Sequence, residues 1–172
     1  MRKSISILGS TGSIGTNTLE IIDRKKKFFK INLLTANKNY KLICSQIKRY
    51  NPNCFIIIDE KIFKKVKKKF LKKKIKVLNN FETISFKDKT DITVSSIPGI
   101  AGLLPTIKMT KFSKKMLIAN KESIICGWKL IKNESYKNKT KIIPVDSEHY
   151  SILQLLENHS LNEIKKIYIT AS

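Results

Sequence analysis

Short apolar runs alternate along this chain with amphipathic segments, the signature of βα units winding a parallel sheet. The apolar runs predict strands near 4–8, 30–35, 54–58, 75–78, 92–95, 116–118, 141–143 and 167–171. The segments between them predict helices over 13–23, 40–50, 61–73, 102–110, 123–136 and 150–156. The expected fold class is α/β, with a doubly wound, mainly parallel sheet and neither an internal repeat nor a Pro- or Ser-rich linker. Pro144 is the expected domain boundary, because it follows a strand and opens the polar cluster Asp146, Ser147 and Glu148. Residues 1–143 then form one domain and 144–172 begin a second. The last predicted strand stops at Ser172 without a capping or polar tail, so a truncated chain is expected.

At 172 residues, 41% of them hydrophobic, the chain is long enough to bury a core. Its charge changes the picture more. Thirty-five Lys and Arg against 13 Asp and Glu leave a formal charge of +22, which raises nucleic acid and anionic membranes as partners. Only Arg2, Arg24 and Arg49 are arginines, however, and Arg is the side chain suited to bidentate contact with phosphates and base edges. Lysines alone bind polyanions weakly and lose them to salt. The abundance of Lys, Ile and Asn, whose codons are rich in A and T, points to mutational bias in an AT-rich genome such as that of a reduced bacterial symbiont. The densest basic run, Lys64 to Lys76, carries Val66 and Phe70 in step with Ile62 and Phe63, an apolar stripe facing a core with its lysines in water. No specific nucleic-acid partner is expected. Cys44, Cys54 and Cys126 are scattered and odd in number, as reduced thiols of a cytosol are. No run approaches the roughly 18 apolar residues of a membrane span. A soluble, cytoplasmic protein without a membrane partner is the consequence.

The first predicted strand runs into Gly9-Ser10-Thr11-Gly12-Ser13-Ile14-Gly15, a glycine-rich turn opening a helix, where backbone N–H groups can face a pyrophosphate. This turn carries a Rossmann-like reading. Gly9 permits the tight turn, Gly12 lets phosphate approach without a Cβ in the way, and Gly15 lets the helix pack closely on the strand. After the second strand, Asn37-Lys38-Asn39 offers a cation and two amides where an NAD-specific site usually offers an acid. Lys38 therefore favours a 2′-phosphate, although a solvated lysine reads equally well from the residues alone.

Three further clusters follow strands. The small residues from Ser95 to Thr106 could let a cofactor approach the backbone, or form an ordinary packing turn. Asn120, Lys121 and Glu122 end another strand at the edge where open α/β folds bind ligands. Asp146 and Glu148 supply two hard oxygen donors suited to Mg²⁺ or Mn²⁺, too few to close a site. Asp146 or Ser147 could instead cap the following helix, and His149 reads as structural.

Taken in order, ILGSTGSIG (7–15), GIAGLLPT (99–106), LIANKES (117–123) and PVDSEH (144–149) resemble the 1-deoxy-D-xylulose 5-phosphate reductoisomerase family, and the similarity runs from Lys3 to Ser172. The resemblance implies a non-mevalonate isoprenoid enzyme that rearranges 1-deoxy-D-xylulose 5-phosphate and reduces it with NADPH to 2-C-methyl-D-erythritol 4-phosphate. By motif, Thr11, Gly12, Ser13 and Ile14 would hold the NADPH pyrophosphate, and Asn37, Lys38 and Asn39 the 2′-phosphoribose. Asn120 and Glu122 would also contact NADPH. Lys121 and Glu148 would be catalytic, with Lys121, Ser147, Glu148 and Ser172 touching the sugar phosphate. Asp146 and Glu148 would bind Mg²⁺ or Mn²⁺. Asn37 departs from a frequent glycine, and Tyr150 replaces a smaller residue. The family continues into a third acidic ligand, a lid and a helical domain, and its complete enzyme is expected to be a homodimer. Residues 1–143 are then the NADPH-binding domain and 144–172 the start of the catalytic one. This chain alone is expected to bind NADPH weakly and to turn over no substrate. Two other readings stay open: another NADPH-dependent reductase sharing only the nucleotide domain, and a basic nucleic-acid-binding module.

Overall fold

Every strand expected before residue 144 forms. The computed structural model describes residues 2–168, apart from the side chains of Glu148 and Leu161. Its strands are β1 (Lys3–Leu8), β2 (Phe29–Ala36), β3 (Cys54–Ile57), β4 (Lys76–Leu78), β5 (Thr90–Ser95), β6 (Ser113–Ile118) and β7 (Lys141–Pro144). Between them run α1 (Ser13–Arg24), α2 (Tyr40–Tyr50), α3 (Glu60–Lys69), α4 (Leu103–Thr110) and α5 (Lys121–Lys137), and α6 (Ser147–Leu156) follows β7. All pairings are parallel, in the order β4-β3-β2-β1-β5-β6-β7. The fold is a Rossmann-like, doubly wound α/β sheet.

Strand alternation divides the core. Ile5, Ile7, Leu34, Phe55 and Ile57 face one side, where Leu19 and Ile22 of α1, Ile43 and Ile47 of α2 and Val66 of α3 cover them. Leu8, Leu33, Ile56, Met116 and Ile118 face the other, under Met109 of α4 and Ile131 of α5. Right-handed crossovers put helices from the two halves of the sheet on opposite faces, as the two clusters require. The basic run behaves as its stripe predicts: Val66 and Phe70 are buried, while Lys64 stays in water beside Glu60.

Several boundaries differ from the sequence pattern, and β6 starts three residues earlier than expected, at Ser113. The chain leaves α3 at Phe70, whose buried ring turns toward the core, so the helix stops short of residue 73. Both α5 and α6 start earlier than their apolar periodicity suggests, because Asn120 and Asp146 cap them. Ile167 and Tyr168 lie in no strand, and residues 169–172, including Ser172, fall outside the described residues.

At the amino end of the strands, Asp91 ties three of them together. Its Oδ2 accepts from the backbone N–H (2.8 Å) and hydroxyl (2.9 Å) of Ser4 on β1, and its Oδ1 pairs with Lys114 of β6 at 2.8 Å. The hydrogen bond from Lys114, then that from the Ser4 backbone, lowers the carboxyl from 3.8 to about 2. A depressed folded value means stability present above about pH 4 and lost as pH falls through about 2. Discounted for partial exposure, Asp91→Asn should cost about 1 kcal/mol at pH 7. Urea midpoints at pH 7 and pH 2 should show that gap closing in acid; a gap independent of pH would rule out the charge as its source.

Candidate functional site

β1, β5, β6 and β7 lie side by side and run the same way, so the loops leaving their carboxyl ends converge on one edge. The winding reverses between β1 and β5, where an open α/β sheet leaves a crevice. A cleft of about 740 Å³ lies along this edge. Gly12, Ser13 and Ile14 line it after β1, Ser96, Ile97 and Pro98 after β5, Ala119 to Glu122 after β6, and Val145, Asp146 and Ser147 after β7.

Within the glycine turn the N–H groups of Gly9, Ser10 and Gly12 donate to the Thr35 hydroxyl, the Thr35 carbonyl and the Gly9 carbonyl, so the donors left for a ligand are those of Thr11 and of Ser13 and Ile14 at the start of α1. Gly9 has φ +83°, and a Cβ there would lie 2.9 Å from the Ser96 carbonyl oxygen, so strand β5's loop abuts it directly. Gly12 precedes α1 and provides no side-chain cap. In contrast, Asn39, Asp59, Asn120 and Asp146 cap α2, α3, α5 and α6. An uncapped helix start at the cleft presents N–H groups and the positive end of the helix dipole to an anion. A Cβ on Gly12 would meet only the Gly9 carbonyl oxygen, at 3.5 Å, so the space in front of it is open. Gly15 makes its close approach where the chain leaves β1: a Cβ there would lie 2.7 Å from Ser10 Cα and 2.8 Å from Ser10 C.

Asn120 is 3% exposed and spans the two middle loops. Its amide nitrogen donates to the Ile97 and Gly99 carbonyls, and its oxygen accepts from Ser123 N–H at 2.8 Å. Both amide hydrogens are therefore engaged in holding the loop after β5 against the start of α5. Lys121 and Glu122 occupy the first turn of α5, Lys121 exposed and Glu122 half-buried, and both line the cleft.

Asp146 caps α6 with one oxygen. Oδ1 accepts from His149 N–H at 3.1 Å and approaches the His149 ring Nδ1 at 2.7 Å. Oδ2 is buried and has no hydrogen-bond partner among the described residues. Burial alone would raise this carboxyl, but the hydrogen bonds and charge of His149 outweigh it and hold it below the usual carboxylate value. The result is an ionised, desolvated oxygen at the cleft, a donor suited to a hard cation. Among the described residues, no three His, Cys, Asp or Glu side chains converge. The Glu148 side chain lies outside them, although its backbone is in α6.

The cleft brings together Gly12, Ser13, Ile14, Asn120, Lys121, Glu122, Asp146 and Ser147. Thr11 is half-buried in the turn and does not line the cleft. Asn37, Lys38 and Asn39 are exposed after β2, which pairs with β1, and they too lie outside the cleft lining. Ser96, Ile97, Pro98, Ala119 and Val145 line it although the motifs assigned them no role. Their signal in the sequence was position, each lying one to three residues past a strand on the β5 side of the reversal.

A family model described as 1-deoxy-D-xylulose 5-phosphate reductoisomerase matches residues 5–127 of the chain. The chain belongs to the 1-deoxy-D-xylulose 5-phosphate reductoisomerase family. A model of the reductoisomerase C-terminal domain matches residues 142–172. The reductoisomerase of Pelagibacter ubique (strain HTCC1062) is 49% identical over 174 residues, covering 99% of this chain and 45% of that protein. The reductoisomerase of Clostridium tetani is 42% identical, covering 99% of this chain and 46% of that protein. In three dimensions, the Zymomonas mobilis reductoisomerase in complex with NADPH superposes with a TM-score of 0.82 at 29% identity, covering 92% of this chain and 42% of that one. A reductoisomerase bound to NADPH, fosmidomycin and magnesium gives 0.81 at 29% identity, covering 88% and 38%. The chain thus spans about half the length of the curated reductoisomerases it matches. Its cleft draws on both family models, since the loops after β1, β5 and β6 fall in the first and Val145 to Ser147 in the second.

Proposed function

We propose that this chain is the nucleotide-binding part, with the first catalytic residues, of an enzyme that converts 1-deoxy-D-xylulose 5-phosphate to 2-C-methyl-D-erythritol 4-phosphate using NADPH and a divalent cation. The observation that carries this reading is the meeting, in one cleft, of an uncapped α1 start and a buried Asp146 Oδ2 that has no hydrogen-bond partner among the described residues. Structures of relatives containing NADPH and magnesium support it. Residues 1–143 are read as the NADPH domain and those from 144 onward as the start of the catalytic domain. Two family models, one ending at 127 and the other starting at 142, support that division.

The residues present fit both groups. When bound, NADPH supplies hydride and Mg²⁺ or Mn²⁺ supplies Lewis acidity toward the substrate oxygens. The N–H groups of Thr11, Ser13 and Ile14 bind the pyrophosphate, Gly12 keeps a Cβ out of their approach while its own N–H closes the turn on the Gly9 carbonyl, and Asn37, Lys38 and Asn39 take the 2′-phosphoribose. Lys38 favours NADPH over NADH because its cation answers the extra phosphate. Asn39 Oδ1 already accepts from Leu42 N–H, which leaves its amide nitrogen for ligand. Asn120 holds the loop after β5 beside the cofactor, and Glu122 contacts NADPH. Lys121 and Ser147 hold the sugar phosphate, Asp146 and Glu148 hold the cation, and Ser172 joins the substrate contacts. The scattered thiols support a cytoplasmic enzyme, and the scarcity of Arg supports a partner list without specific nucleic acid. The complete enzyme is read as a homodimer.

A single NMR experiment tests the shared cleft. NADPH is added to the chain, and its nicotinamide protons are observed while Mn²⁺ is titrated. Paramagnetic broadening of those protons is expected with the native chain and should be lost in Asp146→Asn, since Asn still caps α6 but no longer offers a charged oxygen. Broadening that survives the substitution would place the cation elsewhere.

A further inference from the structure

Outside the cleft lining, Ser10 is held at its N–H, carbonyl and hydroxyl, and one of its partners lies on α2. Gln46 is 3% exposed on the helix face that otherwise buries Ile43, Cys44 and Ile47. Its Nε2 donates to the Ser10 carbonyl at 2.7 Å, and its Oε1 accepts from the Ser10 hydroxyl at 2.7 Å. The carbonyl contact fixes which way the amide is turned, since the reverse orientation would set two oxygens against each other. β2 holds the other side of the turn. Ser10 N–H donates to the Thr35 carbonyl at 2.8 Å, and Gly9 N–H to the Thr35 hydroxyl at 2.9 Å.

A peptide unit is planar and trans, so its N–H points opposite to its C=O. The Ser10 carbonyl turned to Gln46 therefore turns the N–H of Thr11 away from α2. That N–H has no partner among the described residues. Packing does not explain the arrangement, because an apolar side chain at 46 would match its neighbours but strand the buried Ser10 carbonyl.

We propose that Gln46 is a positioning residue for pyrophosphate recognition, gripping Ser10 so that the Thr11 N–H is presented to ligand. The proposal rests on the NADPH reading above. It adds a mechanical link that the motifs do not contain. α2 starts at Tyr40, directly after Asn37-Lys38-Asn39, and carries Gln46 in its middle. One helix thereby couples the corner that meets the 2′-phosphate to the turn that meets the pyrophosphate, and the two ends of NADPH engage a single rigid element.

The test uses the 172-residue chain with NADPH, inorganic pyrophosphate and adenosine 2′-monophosphate as probes, followed by amide NMR shifts. Native chain should bind NADPH and pyrophosphate with a shift at the Thr11 amide. Gln46→Leu should weaken both by about tenfold and abolish the Thr11 shift, while leaving adenosine 2′-monophosphate unchanged. Ser10→Ala keeps the carbonyl grip and should lose only about two- to threefold, which keeps the test intact if the Leu variant folds poorly. Equal weakening of all three probes would mean a structural role only and overturn the proposal. So would native-like binding of pyrophosphate by Gln46→Leu, or a larger loss in Ser10→Ala than in Gln46→Leu. Failure of the native chain to bind NADPH or pyrophosphate would instead overturn the cofactor reading, and the proposal with it.

Discussion

Gly15→Ala should destabilise the chain by about 2–3 kcal/mol and abolish detectable NADPH binding, although alanine is the better helix former by about 1 kcal/mol. Gly15 lies in the first turn of α1, where propensity alone favours the substitution. Sterics decide the sign. A Cβ at this position would lie 2.7 Å from Ser10 Cα and 2.8 Å from Ser10 C, and closer still to the Gly9 carbonyl oxygen. These are backbone atoms, and the turn that carries them is pinned by Thr35 and Gln46, so it has no direction in which to yield. Either α1 moves off the turn or the turn deforms, and both change the N–H groups offered to phosphate. Against a typical total stability of about 5–15 kcal/mol, the loss is readily measured. A urea midpoint equal to or above that of the native chain would show that propensity prevails and that the turn is not held as described.

Asn120→Asp should have a still larger effect, about 3–5 kcal/mol at pH 7. The cap on α5 survives, because either side chain can accept from Ser123 N–H. The two donated bonds do not. A carboxylate would face the Ile97 and Gly99 carbonyl oxygens, with 3% exposure to dilute the repulsion. The loop after β5 would detach from the head of α5, opening the cleft between two of its four walls. Acid offers an internal control. The introduced carboxyl is driven to a raised value in the folded state, so its penalty is full at neutral pH and shrinks as pH falls toward about 4, where protonation restores one donor. Chemical denaturation at pH 7 and pH 5 should show the difference from the native chain narrowing. A pH-independent difference, or none, would mean that the amide nitrogen is not the strut between the loops.

The candidate site divides between what neighbours in sequence could encode and what required the folded chain. Apolar alternation and spacing placed β1 to β7 within a few residues, since side-chain facing is set by residues two to four positions away. The glycine turn, Asn120 to Glu122 and Asp146 were legible as loops past strand ends, and parallel strands carry such loops to one edge. Lys38 was legible only as a charge, and its place beside the cleft rather than in it follows from β2 being one strand further out.

Other properties depend on residues far apart in the chain. The close approach of Gly15 is to Gly9 and Ser10, which are held in place by Thr35 of β2 and Gln46 of α2. Asn120 is a strut through bonds to residues 23 and 21 positions away. The grip of Gln46 on Ser10 spans 36 positions. Asp146 could be read as a helix cap or as a cation ligand while only its neighbours were considered. The fold separates its two oxygens: Oδ1 accepts from His149, and Oδ2 is buried with no hydrogen-bond partner among the described residues. Periodicity and caps are local and survive in a string of letters, whereas burial and hydrogen-bond satisfaction are properties of the assembled sheet edge, and they determine which polar atoms remain for ligand.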